Sequence, residues 1–162
     1  METLLPTATT LGAALSARNE TLAVAESSSG GLVAAALLSV PGASAYFLGG
    51  AVVYTAAARS ALVGLDEAAM TGLRSASEDY ARLLARTVRT RHGATWGIAE
   101  TGAAGPSGNR YGDAAGHSCL AVSGPVELVA TIEIGGTDRI TNMRTFARAL
   151  LDLLGDALAG RR

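Results

Sequence analysis

The sequence predicts an α/β fold, a sandwich of three layers in which helices cover both faces of a mixed β-sheet. Short apolar runs that suit strands alternate with Ala- and Leu-rich helical segments along most of the 162 residues. Two late strand-like runs, 117–123 and 127–134, flank Gly124-Pro125 and read as a hairpin, which makes the sheet mixed rather than purely parallel. No internal repeat or linker divides the chain, so residues 1–162 read as one domain, a length that fits the roughly 100–200 residues of a typical domain.

The elements follow in order. Leu4, Leu5, Ala8, Leu11 and Leu15 recur at helical spacing, predicting a first helix that ends near Arg18 or Asn19. Residues 21–25 are a short apolar run between polar flanks, a buried strand. Residues 32–38 have strong helix-forming composition. Between the two lies Glu26-Ser27-Ser28-Ser29-Gly30-Gly31, a tight strand-to-helix turn and the first place to look for chemistry. Pro41-Gly42 stops the second helix. Residues 46–54 read as a strand, with Gly49 and Gly50 allowing a bulge or a close backbone contact. Residues 56–63 form a short helix stopped by Gly64, and 66–73 a further short helix. Ser77 is the expected N-cap of a helix reaching Arg91, with Glu78 and Asp79 in its first turn, where the helix dipole favours acids. Residues 95–100 are a third strand. Residues 102–116, glycine-rich and without hydrophobic period, are a long loop of the kind that is usually functional or disordered. A last helix over 139–159 carries Phe146, Leu150, Leu153 and Leu154 on its apolar face.

Composition narrows the function classes. Almost half the residues are apolar (49%) but few are aromatic (4%), so Ala, Leu and Val fill the core. The net charge is −1 and no Lys/Arg run is present, which argues against nucleic acid as a partner. The chain contains no lysine, so all 13 cationic side chains are arginines. A lone cysteine, Cys119, excludes an intrachain disulfide and a Cys-based zinc site. His92 and His117 are too far apart in sequence to signal a His-rich metal centre, and neither a metal nor a cofactor is expected. The opening Met1-Glu2-Thr3 lacks a basic signal-peptide start, and no stretch reaches the roughly 20 apolar residues of a membrane span, so a cytoplasmic location is expected.

Three segments, taken together, resemble the CinA C-terminal domain family. Ala25-Glu26-Ser27-Ser28-Ser29-Gly30-Gly31-Leu32 stands against the family's A-E-S-C-T-G-G-L. Pro41-Gly42-Ala43-Ser44-Ala45-Tyr46-Phe47, followed by Gly50-Ala51-Val52-Val53-Tyr54, stands against P-G-S-S-x-x-F…G-x-V-x-Y. Gly97-Ile98-Ala99-Glu100-Thr101-Gly102-Ala103-Ala104-Gly105-Pro106 stands against S-G-I-A-G-P. The order and spacing match, and the likeness covers nearly the whole chain. It implies the stand-alone form of the domain, since two-domain members carry an N-terminal domain that this length cannot hold. The activity it implies is serine-dependent hydrolysis of the amide of nicotinamide mononucleotide, giving nicotinate mononucleotide and ammonia. It also implies a small-molecule nucleotide ligand and self-association into a homo-oligomer. The family's competence/damage-inducible label adds a DNA-damage accessory role as a third reading, for which the sequence supplies no basic patch.

By the resemblance Ser27 is the nucleophile position, with Ser29 in place of a family threonine. A serine here can equally cap the following helix. Free N–H groups at the start of that helix, beyond Gly30 and Gly31, would suit an oxyanion or a phosphate. Glu26 reads either as a site-facing orienter or as an acid at a helix start. Tyr54 matches the family's site tyrosine, able to donate to an oxyanion or pack on the ligand ring, and otherwise a half-buried strand tyrosine. Thr101, Gly102, Gly105 and Pro106 are expected at the substrate, in a loop from 101 to 108 that offers backbone N–H groups and in which Gly102, Gly105 and Pro106 match the family. Arg139 and Arg144 resemble the family's D-R…R pattern, with one residue inserted, and could meet a phosphate or simply lie on a solvated helix start.

The departure comes five residues after Tyr54. Active family members read Y-S-N-E-A-K, and the lysine partners the serine; this chain reads Tyr54-Thr55-Ala56-Ala57-Ala58-Arg59. Burial can tune a lysine until it acts as a base, whereas arginine stays protonated in proteins. Arg59 can lower a neighbour's pKa or hold an anion with its forked donors, but cannot take the serine proton. A catalytically inactive paralogue that binds a nucleotide or another phosphorylated small molecule is therefore the alternative to the amidase. Glu26 and His117 are the candidate replacement bases. Ser107-Gly108-Asn109-Arg110-Tyr111 also diverges from the family's acidic, glycine-rich loop, which bears on the substrate rather than the fold.

Overall fold

A computed structural model describes residues 1–161. Five strands form one mixed sheet in the order β2-β1-β3-β4-β5, with β1 (Leu22–Glu26), β2 (Phe47–Val52), β3 (Trp96–Ala103), β4 (His117–Ser123) and β5 (Leu128–Glu133). β1 is parallel to both β2 and β3, while β3–β4 and β4–β5 are antiparallel. Helices α1 (Leu5–Ala17), α2 (Leu32–Leu38) and α5 (Arg139–Leu158) cover one face of the sheet, and α3 (Ala56–Val63) and α4 (Glu78–His92) the other. This is the three-layer α/β sandwich the sequence predicts. Among the described residues, no helix is long and apolar enough to cross a membrane.

The two faces of the sheet differ in thickness. Leu22, Val24, Trp96, Ile98, Leu120 and Val122 fill the layer under α1, α2 and α5. Their sequence neighbours Ala23, Ala25, Ala99, Cys119 and Ala121, on the opposite face because strand side chains alternate, let α4 lie close. Gly97 takes this furthest, since a Cβ there would sit 2.1 Å from the Ala85 carbonyl oxygen and 2.6 Å from Arg89 Cβ. Gly97→Ala is expected to cost about 2–3 kcal/mol by overpacking. A urea midpoint that stays unchanged would mean that α4 retreats freely.

Local signals explain most boundaries. The Ser77 hydroxyl accepts from Tyr80 N–H at 3.3 Å and starts α4, and Gly93 ends it at φ 61°. The expected bulge occurs where the β1–β2 register slips between Leu22 and Ala23, next to Gly49.

Two expectations fail. Residues 66–73 are not a helix but a run of turns, with Met70 N–H bonding to the Glu67 carbonyl at 3.1 Å and Leu73 N–H to the Met70 carbonyl at 2.9 Å. Left-handed glycines before and within the run, Gly64 (φ 69°) and Gly72 (φ 78°), leave no length for a helical ladder. The third strand also runs past residue 100, because Thr101, Gly102 and Ala103 pair with Cys119, Ser118 and His117 of β4. Gly102 permits this closeness: a Cβ would lie 2.3 Å from the His117 carbonyl oxygen.

Candidate functional site

The chain leaves β1 to the left through α2 and returns on the right through α3 and α4, so β1 and β3 flank a topological switch point. Open α/β sheets bind ligands at the carboxyl ends of strands at such points. A cavity of about 300 Å³ lies there, lined by Ser27 after β1, by Thr101 and Gly102 of β3, and by Tyr54, Arg59, Tyr80, Asn109, Arg110 and Tyr111. Ser27, Tyr54 and Arg59 thus share one wall system although they come from three separate segments.

The Ser-rich turn rests on two buried acids. Glu100 is fully buried and accepts from Ser29 N–H at 2.8 Å, Ser29 Oγ at 2.9 Å, Ser118 Oγ at 3.0 Å, Ser27 N–H at 3.2 Å and the Ser28 hydroxyl. Glu26, also buried, accepts from Ala34 N–H and Ser29 Oγ at 2.8 Å and from Gly31 and Val33 N–H at 3.0 Å. Burial pushes the Glu26 pKa up, against the pull of the Ala34 and Val33 N–H groups and the Ser29 hydroxyl, and nearby Glu100 adds to the rise.

This geometry corrects the expected role of the helix start. The free N–H groups of α2 are taken by Glu26 and do not face an incoming phosphate. Glu26 is a buried cap, not a site-facing orienter, and Ser29 ties the two acids together beneath the turn. Gly30 and Gly31 serve the turn itself, being consecutive left-handed residues at φ 67° and 95°. None of these four residues lines the cavity.

The other expected contacts divide. Thr101 lines the cavity, and its Oγ1 accepts from Ala76 N–H at 3.2 Å. Gly105 and Pro106 lie outside the lining; the Gly105 carbonyl accepts from Arg139 at 2.8 Å. The same guanidinium donates to the Tyr54 hydroxyl at 3.2 Å and stands 5.8 Å from its ring centroid, so Arg139 braces the exposed Tyr54 at the rim. Arg144 is elsewhere, beside Met1, Glu2 and Thr3. Arg59 is only 7% exposed; its Nε donates to the Leu65 carbonyl at 2.9 Å and its guanidinium lies 6.0 Å from the Tyr80 ring centroid.

Sequence reasoning missed the supports. Glu100 is an acid inside an otherwise apolar strand, a signal visible in Trp96-Gly97-Ile98-Ala99-Glu100 once the buried alternation is known. The loop wall is built by Asn109, whose Oδ1 accepts from Tyr111 N–H at 2.9 Å, and by Asp113, which takes both Nη groups of Arg74. Tyr111 stacks between Arg110, 5.0 Å from its centroid, and Arg74 at 5.6 Å.

His117 is not a base for Ser27. Its Nε2 lies 3.0 Å from the Ala76 carbonyl and its Nδ1 2.5 Å from Glu133 Oε1, and both partners are acceptors, so both ring nitrogens donate. Burial pulls its pKa down, but Glu133, the Ala76 carbonyl and the Asp113 charge outweigh it and leave the pKa above the ordinary histidine value. Between them, His117 and Thr101 hold Ala76, a cavity-wall residue at the unusual φ of 54°. A folded pKa above the unfolded one gives stability that is full below about pH 6.5 and is lost as pH rises through the folded value. Melting temperature is therefore expected to fall more steeply as pH rises above about 6.5 in the native protein than in His117→Gln. Equal slopes would disconnect His117 from this clamp.

Fold and site together define a class: an α/β sandwich with a serine-bearing strand–turn–helix at the switch point of its sheet. The chain belongs to the CinA C-terminal domain family, whose model matches residues 5–158. CinA-like proteins of Gloeobacter violaceus and Anaeromyxobacter dehalogenans (strain 2CP-C) are 41% and 43% identical to it over 83% and 90% of the chain. The chain spans only 32% and 36% of those two proteins. Among solved structures, a competence-damaged protein (CinA) superfamily protein from Escherichia coli matches at TM-score 0.88 and 26% identity, covering 95% of this chain and 90% of that one. The competence/damage inducible protein CihA from Agrobacterium tumefaciens matches at TM-score 0.87 and 27% identity, covering 96% and 95%.

Proposed function

We propose that the chain is an amidohydrolase of the CinA type, acting on the amide of nicotinamide mononucleotide or a closely related amide with Ser27 as nucleophile. The observation that carries this reading is the convergence of Ser27, Tyr54 and Arg59 on one cavity at the strand ends. Ser27 Oγ adds to the amide carbon, ammonia leaves, and water then releases the acid from the acyl-enzyme. Arg59 and the Thr101 hydroxyl are donors available to the oxyanion, and Tyr54, its oxygen already accepting from Arg139, keeps its own proton to donate.

One observation favours a second reading, binding without turnover. Among the described residues, no amine, imidazole or carboxyl side chain lines the cavity to take the Ser27 proton, and Arg59 stays charged. The test is ammonia release from nicotinamide mononucleotide by the purified protein beside Ser27→Ala. Slow turnover that Ser27→Ala abolishes is the expected result. No turnover, with thermal stabilisation by the nucleotide, would replace hydrolysis by binding. Neither turnover nor stabilisation would overturn both readings.

A further inference from the structure

We propose that the cavity selects the carboxylate form of its ligand over the amide, with the Arg59 guanidinium as the selecting group. This rests on the reading of the cavity as a pyridine mononucleotide site, whether or not turnover follows.

The charge inventory points this way. Arg59 and Arg110 line the cavity, and among the described residues no Asp or Glu does. The acids that lie near are committed elsewhere: Glu26 and Glu100 to the N–H and hydroxyl groups of the turn beneath, Asp113 to Arg74, and Glu133 to His117. An anion entering the cavity therefore meets two guanidinium groups at its wall, while the carboxylates of Glu26 and Glu100 lie beneath the turn and outside the lining.

Arg59 has the shape of a carboxylate receptor. The Leu65 carbonyl holds its Nε and its Cζ lies 6.0 Å from the Tyr80 ring centroid, while among the described residues no carboxylate or carbonyl takes its Nη groups, which remain for a ligand. Among the described residues no carboxylate pairs with it, although it is nearly buried. A guanidinium left unpaired in such surroundings gains most from a partner that brings charge and two acceptors together. A carboxylate offers both. An amide offers one acceptor, and its NH₂ group turns donors toward donors. A lysine ammonium, a compact point charge, does not make this planar distinction. The second cation, Arg110, remains for a phosphate on the same ligand.

Titration calorimetry with nicotinate mononucleotide and nicotinamide mononucleotide tests the inference, with Ser27→Ala in parallel so that hydrolysis cannot convert the amide. The acid is expected to bind at least about tenfold more tightly, about 1.4 kcal/mol. Arg59→Gln is expected to remove that preference, the affinity for the acid falling at least about tenfold relative to that for the amide. Equal affinities, tighter binding of the amide, or a preference that survives Arg59→Gln would overturn the proposal and leave the mononucleotide reading standing. Binding of neither ligand would remove both. The comparison of the two ligands on the native protein decides the matter even if Arg59→Gln does not fold.

Discussion

Replacing Arg59 by lysine is expected to raise ammonia release from nicotinamide mononucleotide by about 100-fold or more. The barrier in the native chain is the destination of the Ser27 proton. General-base catalysis is worth about 10²–10⁴-fold, and arginine supplies none of it. A lysine reaching the same place would have its ammonium near the Leu65 carbonyl and the Tyr80 ring, in a position that leaves the native side chain 7% exposed. Desolvation lowers a buried lysine's pKa, so a neutral fraction becomes available near pH 7. The gain should appear in kcat rather than in KM, because the new group acts on proton transfer. A rate no higher than that of the native protein would locate the block somewhere other than residue 59.

The second large effect concerns stability. Glu100→Leu is expected to cost at least about 4 kcal/mol, or to prevent folding. Removing its oxygens takes the acceptor from two N–H groups and from the Ser28 and Ser118 hydroxyls, while the Ser29 hydroxyl keeps Glu26. Each unsatisfied buried donor costs about 1–3 kcal/mol, partly relieved where a hydroxyl finds a new acceptor. Glu100→Gln, which keeps the shape and one acceptor, should lose less. Urea unfolding of both variants reads this directly, and a leucine variant as stable as the native protein would show that the turn holds itself. Because the Ser27 N–H is among the stranded groups, any folded variant should also lose ligand affinity.

Much of the fold was legible because local chemistry and tertiary need coincide. Residues 32–38, 56–63 and 117–123 match their predicted bounds, each being fixed by composition and by a glycine or cap at its ends. Where only local evidence was available, expectation failed: 66–73 has helical composition but follows one left-handed glycine, Gly64, and contains another, Gly72. The wall of the candidate cavity was legible in its outline. Ser27, Tyr54, Arg59, Thr101 and Gly102 line the cavity, while Glu26, Ser29, Gly30, Gly31, Gly105, Pro106, Arg139 and Arg144 lie beneath it, beside it or elsewhere. A strand acid next to a serine looks the same in sequence whether it faces a ligand or turns under the chain. Glu26, the last residue of β1, turns under α2, whereas Ser27, just past the strand end, lines the cavity, and only the packing of α2 shows which is which. The Arg74–Asp113 pair that pins the loop wall is non-local, with no periodic pattern to announce it.

The unequal thickness of the sheet's two faces gives the cavity a ruler. α4 rests on Ala23, Ala25, Gly97, Ala99 and Ala121, and its first turn carries Tyr80, part of the cavity wall beside Arg59. The stand-off between helix and sheet, set by methyl groups and a hydrogen atom, thereby fixes how far the cavity floor lies from Ser27. One added carbon on the thin face would tilt that helix and deepen or widen the pocket without touching a single residue that meets the ligand. Ligand size in this molecule is gauged from below.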